Sequence, residues 1–521
     1  MALLLLTIIF TIILLTKPLL KYLNPTKYPP LNPLSNLTTL SYTYEHRHPF
    51  RTQRLCNQHL HHKHNHTHNH HIIRLSPTAL SIADPRAIPA IYGHGTPCLK
   101  DDVYARTKGS HTHFNMLNTI SRDDHSRKRR MLANAFSTKN LEQWEGKIVD
   151  KVERLVRQLD GRCMLPPSPE GMVVEEEGDV DLRFWLNLFT IDAIADIGLS
   201  IKLGLLDKGS DEVVVDDGEV VRYIECLHRG NRVSSWVIGA DGWVGFLKGV
   251  SALVSPYLRR QWECGRMLGR VVRSLVQQRV RVYEEGGEEV SDFLGCLMED
   301  KRGVERGLDR GEIEAEAGLL LDAGSDTTAI ALTNVMYYLI KNPHCLKKLR
   351  EEVSSALSDN EVAPYAKVRN LPYLKACLEE SLRLSPPVSR GLERKTPPEG
   401  MYILGERIPG NTTISVPTYA VHRDPDIFPD PEAFRPERWL EDEEQVKQMR
   451  AVFIPFSSGA RACIGRNITF IEQQILVATL VHRYEFALPS KDWMLEWEEA
   501  FNLWPGRMPV KIWRRENKLI Y

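Results

Sequence analysis

The sequence predicts a mainly α-helical protein with a minor β-sheet, folded as one large domain behind an N-terminal membrane anchor. Three observations carry this expectation. An apolar run opens the chain, apolar residues recur at helical spacing over long stretches, and strand-like runs are few and short. At 521 residues the chain could hold two or three domains, but no long low-complexity linker divides it after about Pro33. The expected division is therefore an anchor at 1–23, a proline-rich hinge at 24–34 and a globular domain at 35–521.

Residues 2–16 are apolar apart from threonines, and Leu19, Leu20 and Leu23 continue the pattern beyond Lys17 and Pro18. A bilayer core takes about 20 residues, and Lys17 and Lys21 can snorkel to extend a shorter run. A cleaved signal peptide is the competing reading, and it wants positive charge before the apolar run. Here Lys17, Lys21 and Lys27 follow the run instead. The expectation is a single-pass anchor that leaves everything after Leu23 in the cytosol. The sequon Asn36-Leu37-Thr38 then never meets the glycosylation machinery. Pro25, Pro29, Pro30 and Pro33 make the hinge a stiff, extended connector.

Long helices are expected over 140–159, 258–284 and 313–340, with shorter ones at 124–136, 374–384 and 444–452. Strands are expected at 71–75, 79–82, 401–403 and 412–417. The acidic, glycine-containing stretches 175–181 and 284–289 read as surface loops. Between positions 46 and 71 lie ten of the eighteen histidines, nearly alternating from His59 onward. That density leaves two readings open, a metal-binding tract or a solvated loop or helix of drifted composition.

Lys+Arg and Asp+Glu both total 67, so the net charge is zero and no basic stripe marks a nucleic-acid binder. The nine cysteines are odd in number, scattered and free of any C-x-x-C pair. That pattern fits free thiols in a reducing compartment.

One cysteine stands in a different setting. It lies in Phe456-Ser457-Ser458-Gly459-Ala460-Arg461-Ala462-Cys463-Ile464-Gly465, just before an amphipathic helix start. Glycines on either side let backbone N–H groups approach the sulfur. The helix presents its positive end, and Arg461 adds a cation two residues away. A thiolate held this way is a soft ligand for iron.

These ten residues match the haem-binding signature F-x-x-G-x-R-x-C-x-G, and over about residues 35–515 the chain resembles the cytochromes P450. The runs 74–93 and 124–137 look most like fungal microsomal members, many of which act in secondary metabolism. Three further motifs stand in the family's order. They are Glu380-Ser381-Leu382-Arg383 (E-x-x-R), Phe434-Arg435-Pro436-Glu437-Arg438-Trp439, and Ala323-Gly324-Ser325-Asp326-Thr327-Thr328 in the long helix. The resemblance implies that Cys463 ligates the iron of haem b, and that Glu380, Arg383 and Arg438 form a buried structural triad. It gives Asp326 and Thr327 the catalytic roles of acid and alcohol, in a helix that opens over the iron. It assigns His125 (where the family usually has tryptophan), Arg129, Arg394 and Arg461 to the haem propionates. Arg129 is expected to point inward while its basic neighbours in 127–130 face a reductase; His422 is expected to be structural.

By the same resemblance, Phe114, Leu320, Ala323, Val388, Ser389, Leu503 and Trp504 line a pocket for a small lipophilic substrate. The implied activity is monooxygenation, with electrons from NADPH delivered by NADPH–cytochrome P450 reductase at the endoplasmic reticulum membrane. Two alternatives remain open at this point: a haem-thiolate isomerase or peroxygenase, and a non-catalytic haem or metal sensor. The isomerases and peroxygenases commonly dispense with the acid–alcohol pair, which this chain has.

Overall fold

Helices supply most of the structure, and the ones that position the site are α1 (Arg51–His64), α2 (Arg122–Ala133), α3 (Glu145–Asp160), α4 (Leu182–Leu199), α5 (Tyr223–Val237), α6 (Pro256–Glu284), α7 (Arg310–Lys341), α8 (Pro372–Leu384), α9 (Glu443–Val452) and α10 (Arg466–Arg483). The computed structural model describes residues 27–39, 41, 45, 51–64, 71–108, 112–133, 135–136, 144–164, 179–237, 244–285, 292–300, 302–358 and 361–515. The anchor expected at 1–23 lies outside the described residues. Among those described, no helix is long and apolar enough to cross a membrane. The hinge enters the description at Lys27, where Tyr28 is buried and Pro30 bridges to Arg74.

Helix α7 is the beam of the molecule. Asp309 caps its first turn by accepting from the Gly311 N–H, and Lys341 in the last turn meets the negative end of the helix dipole. Helix α4 crosses it, and the two approach so closely that a Cβ at Gly324 would stand 2.7 Å from the Ile194 side chain. This explains a glycine in mid-helix that intrinsic propensity disfavours. Helix α4 was not foreseen from the sequence. It is buried on nearly every side, so its apolar residues show no one-sided period.

The minor sheet has five strands, β1 (Ile72–Ser76), β2 (Ala79–Ile82), β3 (Leu99–Lys100), β4 (Arg394–Lys395) and β5 (Thr413–Ser415), in the order β1-β2-β5-β4-β3. β5 runs parallel to β2 and the other pairings are antiparallel. Register places Lys100 directly opposite Arg394. Near the C-terminus, β6 (Trp497–Glu499) and β7 (Leu503–Pro505) form a hairpin against α7. One large hydrophobic core lies among the helices and a second beneath the sheet.

All nine cysteines are free. His59 of α1 is buried with its ring 3.1 Å from the Ser81 hydroxyl. Among the described residues no group of three or more His, Cys, Asp or Glu side chains could hold a metal ion. Residues 65–70 of the histidine tract lie outside the description.

Candidate active site

The Cys463 loop is shaped by backbone contacts. The Cys463 N–H donates to the Phe456 carbonyl at 2.9 Å, and Gly459 adopts φ +68°. A Cβ at Gly459 would come within 2.0 Å of the Tyr92 carbonyl oxygen, so only glycine fits there. Gly465 is different: a Cβ would lie 3.8 Å from Cys463 Sγ, an ordinary contact. The side chain of Cys463 is accessible although protein surrounds it, and Ala323 of α7 is exposed in the same way. Both therefore border an internal cavity.

Burial raises the Cys463 thiol, and the N–H groups of Gly465 and Arg466, with the Arg129 charge, offset this only in part. On balance the protein around the sulfur raises the thiol. Arg461 turns away from it, donating to the carbonyls of Thr119 (2.8 Å), Ile120 (2.9 Å) and Ser121 (3.2 Å). Arg129 is the nearer cation, and its Nη1 donates to the Ala462 carbonyl at 2.7 Å.

Five basic side chains converge beside this loop: Lys100, His125, Arg129, Arg394 and Arg461. Burial lowers Lys100 well below the usual lysine range, and Arg394 and Arg461 lower it further. His125 is pushed down to about 3 by burial and then by Arg461, Lys100, Arg129 and Arg394. Arg461 falls to about 10 through burial and the neighbouring Arg394 and Arg122. Cations in direct cross-strand register, such as Lys100 and Arg394, repel one another. The cluster is built for an anion that occupies the space between them. Sequence reasoning missed Lys100, because it sits on a two-residue strand and its partner is remote in the chain.

One neighbour of Arg129, Lys128, does not face outward as expected, whereas Arg127 keeps 41% of its side chain exposed. Lys128 is buried against Glu312 and Glu316, and Arg127 pairs with Asp124 and Glu312. The acidic first turns of α7 draw Lys128 inward. Arg130 remains exposed.

Helix α7 continues unbroken through Thr327, in place of the expected opening. The Thr327 hydroxyl donates to the Ala323 carbonyl at 2.8 Å. Asp326 is buried and accepts three hydrogen bonds, from His228 Nε2 of α5 (3.0 Å), Asn502 Nδ2 (2.6 Å) and Trp504 Nε1 (2.7 Å). Burial alone would raise its carboxyl, but these donors outweigh burial and hold it below the usual range. His228 and Asn502 were not foreseen as partners of Asp326.

Glu380, Arg383 and Arg438 meet in the core. Arg383 Nε and Nη2 each donate to the Glu380 carboxylate at 2.9 Å, and Arg438 Nε donates at 3.0 Å. Trp439 Nε1 and the Arg435 N–H complete five donors on one carboxylate. His422 packs beside them, its Nε2 accepting from the Ile454 N–H at 2.9 Å and its Nδ1 lying 3.3 Å from the Arg383 carbonyl. Burial and Arg383 lower it to about 3, so it is neutral at pH 7.

The family profile for cytochrome P450 matches residues 49–506. The chain belongs to the cytochrome P450 family. A cytochrome P450 monooxygenase of Emericella nidulans is 31% identical over 470 residues, covering 85% of this chain and 86% of that protein. A benzoate 4-monooxygenase of Aspergillus niger is 31% identical over 454 residues, covering 85% and 86%. The solved heme domain of cytochrome P450DA superposes with a TM-score of 0.74, covering 95% of this chain and 98% of that one at 18% identity. The protein is a P450 monooxygenase, an oxidoreductase of the fungal type.

The fold and family imply haem with cysteine-thiolate ligation, and the residues fit it. The buried basic cluster suits two propionates, and Cys463 offers Sγ to an iron whose charge favours the thiolate. The residues expected along the P450 substrate pocket are spread more widely. Ala323 borders the cavity, Leu320 and Leu503 are buried, and Val388 flanks a crevice with Tyr92, Leu392 and Ile454. Ser389 is buried with its hydroxyl 3.2 Å from that of Thr52. Phe114 is 40% exposed beneath the Lys108 ammonium. Trp504 is buried in the core, its ring tilted against that of His228 with centroids 4.7 Å apart, and bonded to Asp326.

Proposed function

We propose that this P450 inserts one oxygen atom of dioxygen into a small lipophilic organic substrate, as a step in fungal secondary-metabolite biosynthesis. The other oxygen leaves as water, and the reaction consumes two electrons and two protons. NADPH is the electron source, through NADPH–cytochrome P450 reductase, which the exposed Arg130 beside the Cys463 loop is suited to dock. Residues 1–23 hold the protein to the endoplasmic reticulum membrane, with the catalytic domain in the cytosol. The apolar run and the lysines that follow it support this reading.

The observation that carries the catalytic assignment is the pairing of Asp326 and Thr327 on α7, beside Ala323, which like Cys463 keeps accessible surface. Haem supplies the redox centre at which dioxygen is reduced and activated. Lys100, His125, Arg129, Arg394 and Arg461 neutralise and orient its propionates. The Gly465 and Arg466 N–H groups hold the Cys463 sulfur. Thr327 Oγ1 delivers protons into the cavity, and Asp326 replenishes them from the side of α5.

The test is substrate-dependent NADPH consumption with added reductase, next to the reduced, CO-bound spectrum. The native protein gives the band at about 450 nm that marks thiolate ligation. Cys463→Ala loses it; an unchanged band would refute the ligand assignment.

A further inference from the structure

Helix α7 carries a second carboxylate that the mechanism above leaves unused. Asp322 lies one turn before Asp326, and its Oδ1 accepts from Asn231 Nδ2 of α5 at 3.2 Å. Among the described residues no other hydrogen bond reaches its side chain. Asp326 is tied down by three donors, whereas Asp322 keeps most of its acceptor capacity.

Two properties of Asp322 look opposed. Burial and the neighbouring Asp326 raise its carboxyl to about 7, as expected deep inside a protein. Its side chain nevertheless keeps accessible surface. Both hold together when that surface borders an internal cavity, and the adjacent Ala323 is exposed to one. A carboxylate in an otherwise apolar wall costs stability unless its occupant supplies a donor.

We propose that Asp322 is a substrate-recognition subsite. It accepts a hydrogen bond from a hydroxyl or a protonated amine on the substrate and so orients an otherwise apolar molecule in the cavity over Cys463. This rests on the reading that the cavity takes a lipophilic substrate. The charged and titratable groups nearby are already engaged. His228 of α5 bonds Asp326, Arg183 of α4 faces Asp326, and the Tyr223 hydroxyl bonds Ser325. The substrate is thus left as the second donor to Asp322.

The test uses three probes that differ in one group: biphenyl, biphenyl-4-methanol and dimethyl(biphenyl-4-ylmethyl)amine. Affinity is read in the haem-loaded protein from the spin-state shift and independently by calorimetry. At about pH 8 the alcohol and the protonated amine should each bind about tenfold tighter than biphenyl. Asp322 gains its charge as pH rises through about 7, so the amine preference should shrink at about pH 6 and the alcohol preference should change less. Asp322→Leu should abolish both preferences, and Asp322→Asn, which keeps an acceptor, should abolish only that for the amine. The CO-bound spectrum of each variant confirms an intact haem site. Equal affinity for all three probes, or a preference that survives Asp322→Leu, overturns the subsite and leaves the lipophilic pocket standing. Failure of every probe to bind overturns the pocket reading and the subsite with it.

Discussion

Two Glu–basic pairs at i,i+3 spacing in this protein lie at opposite extremes of burial, and together they test how much a buried network matters. Glu444 and Lys447 on α9 stand 3.3 Å apart with side chains 67% and 80% exposed. Glu380 and Arg383 on α8 stand 2.9 Å apart with both side chains at 0%. The perturbation is Glu380→Gln, which keeps shape and removes charge. The Glu380 carboxylate takes five donors, three of them from two guanidinium groups buried to 0% and 1%. Removing one partner of a buried ion pair costs about 3–5 kcal/mol, because the remaining charge has lost its counter-ion.

The structure places the expected cost toward the lower end of that range. Arg383 keeps the carbonyls of His422, Pro431 and Ala433, and Arg438 keeps those of Pro429 and Asp430. Those dipoles hold part of each positive charge, so a loss of about 3 kcal/mol is expected. Native proteins hold only about 5–15 kcal/mol in reserve, so the variant should unfold at visibly lower urea. The assay is urea unfolding followed by tryptophan fluorescence, with Trp439 inside the network as a reporter. Glu444→Gln, measured alongside, should match the wild type, since exposed pairs contribute little. A Glu380→Gln midpoint equal to that of Glu444→Gln would refute the argument that burial gives the pair its weight.

Thr327→Ala should keep haem and the CO band but divert NADPH electrons to peroxide; full coupling of electrons to product would contradict the proton-delivery role. Lys100→Met removes one of five clustered basic side chains and should speed haem transfer to an acceptor globin by about tenfold, from a loss of about 1–2 kcal/mol for one partly shared charge. Unchanged transfer would exclude Lys100 from propionate binding. For His422 the folded value of about 3 lies below the unfolded value of about 6.5, so the unfolded chain binds more protons between them. Stability should therefore fall as pH drops below about 6.5, by about 2 kcal/mol at pH 5 from this group. In His422→Gln that pH-dependent loss should shrink in urea titrations at the two pH values.

What the sequence made legible follows from how far apart the cooperating residues lie. The Cys463 loop is ten contiguous residues, and its chemistry is local enough to read directly. The long central helix, expected at 313–340, spans Arg310–Lys341, because its boundaries carry their own cap and dipole residues. Helix α4 was missed for the opposite reason, since a helix buried on every side carries no amphipathic signal. Lys100 and Arg394 are brought together only by sheet register, which no local pattern encodes. The same holds for His228 and Asn502 on Asp326. Asp322 did leave a mark, a carboxylate closing the run Leu319-Leu320-Leu321, but its partner Asn231 did not.

The composition of α7 makes sense once its faces are separated. A helix turns about 100° per residue, so neighbours in sequence look in different directions. Gly324 faces α4, where any side chain would strike Ile194. Ala323 and Thr327, four residues apart, form a stripe that keeps accessible surface, as Cys463 does. Asp322 and Asp326, also four apart, both reach α5, one at Asn231 and one at His228, but only Asp322 keeps accessible surface and so lies at the edge between the two faces. The Asp-Thr pair is therefore adjacent in sequence yet split between two faces, with the carboxylate held on the roof and the hydroxyl beside the cavity. The proton-supply role proposed for Asp326 would require the His228, Asn502 and Trp504 bonds to loosen, which would tie it to movement of α5 and the 502–504 turn. Substrate bound at Asp322 would press on the same helix through Asn231. Substrate binding and proton supply would thus share one helix–helix seam.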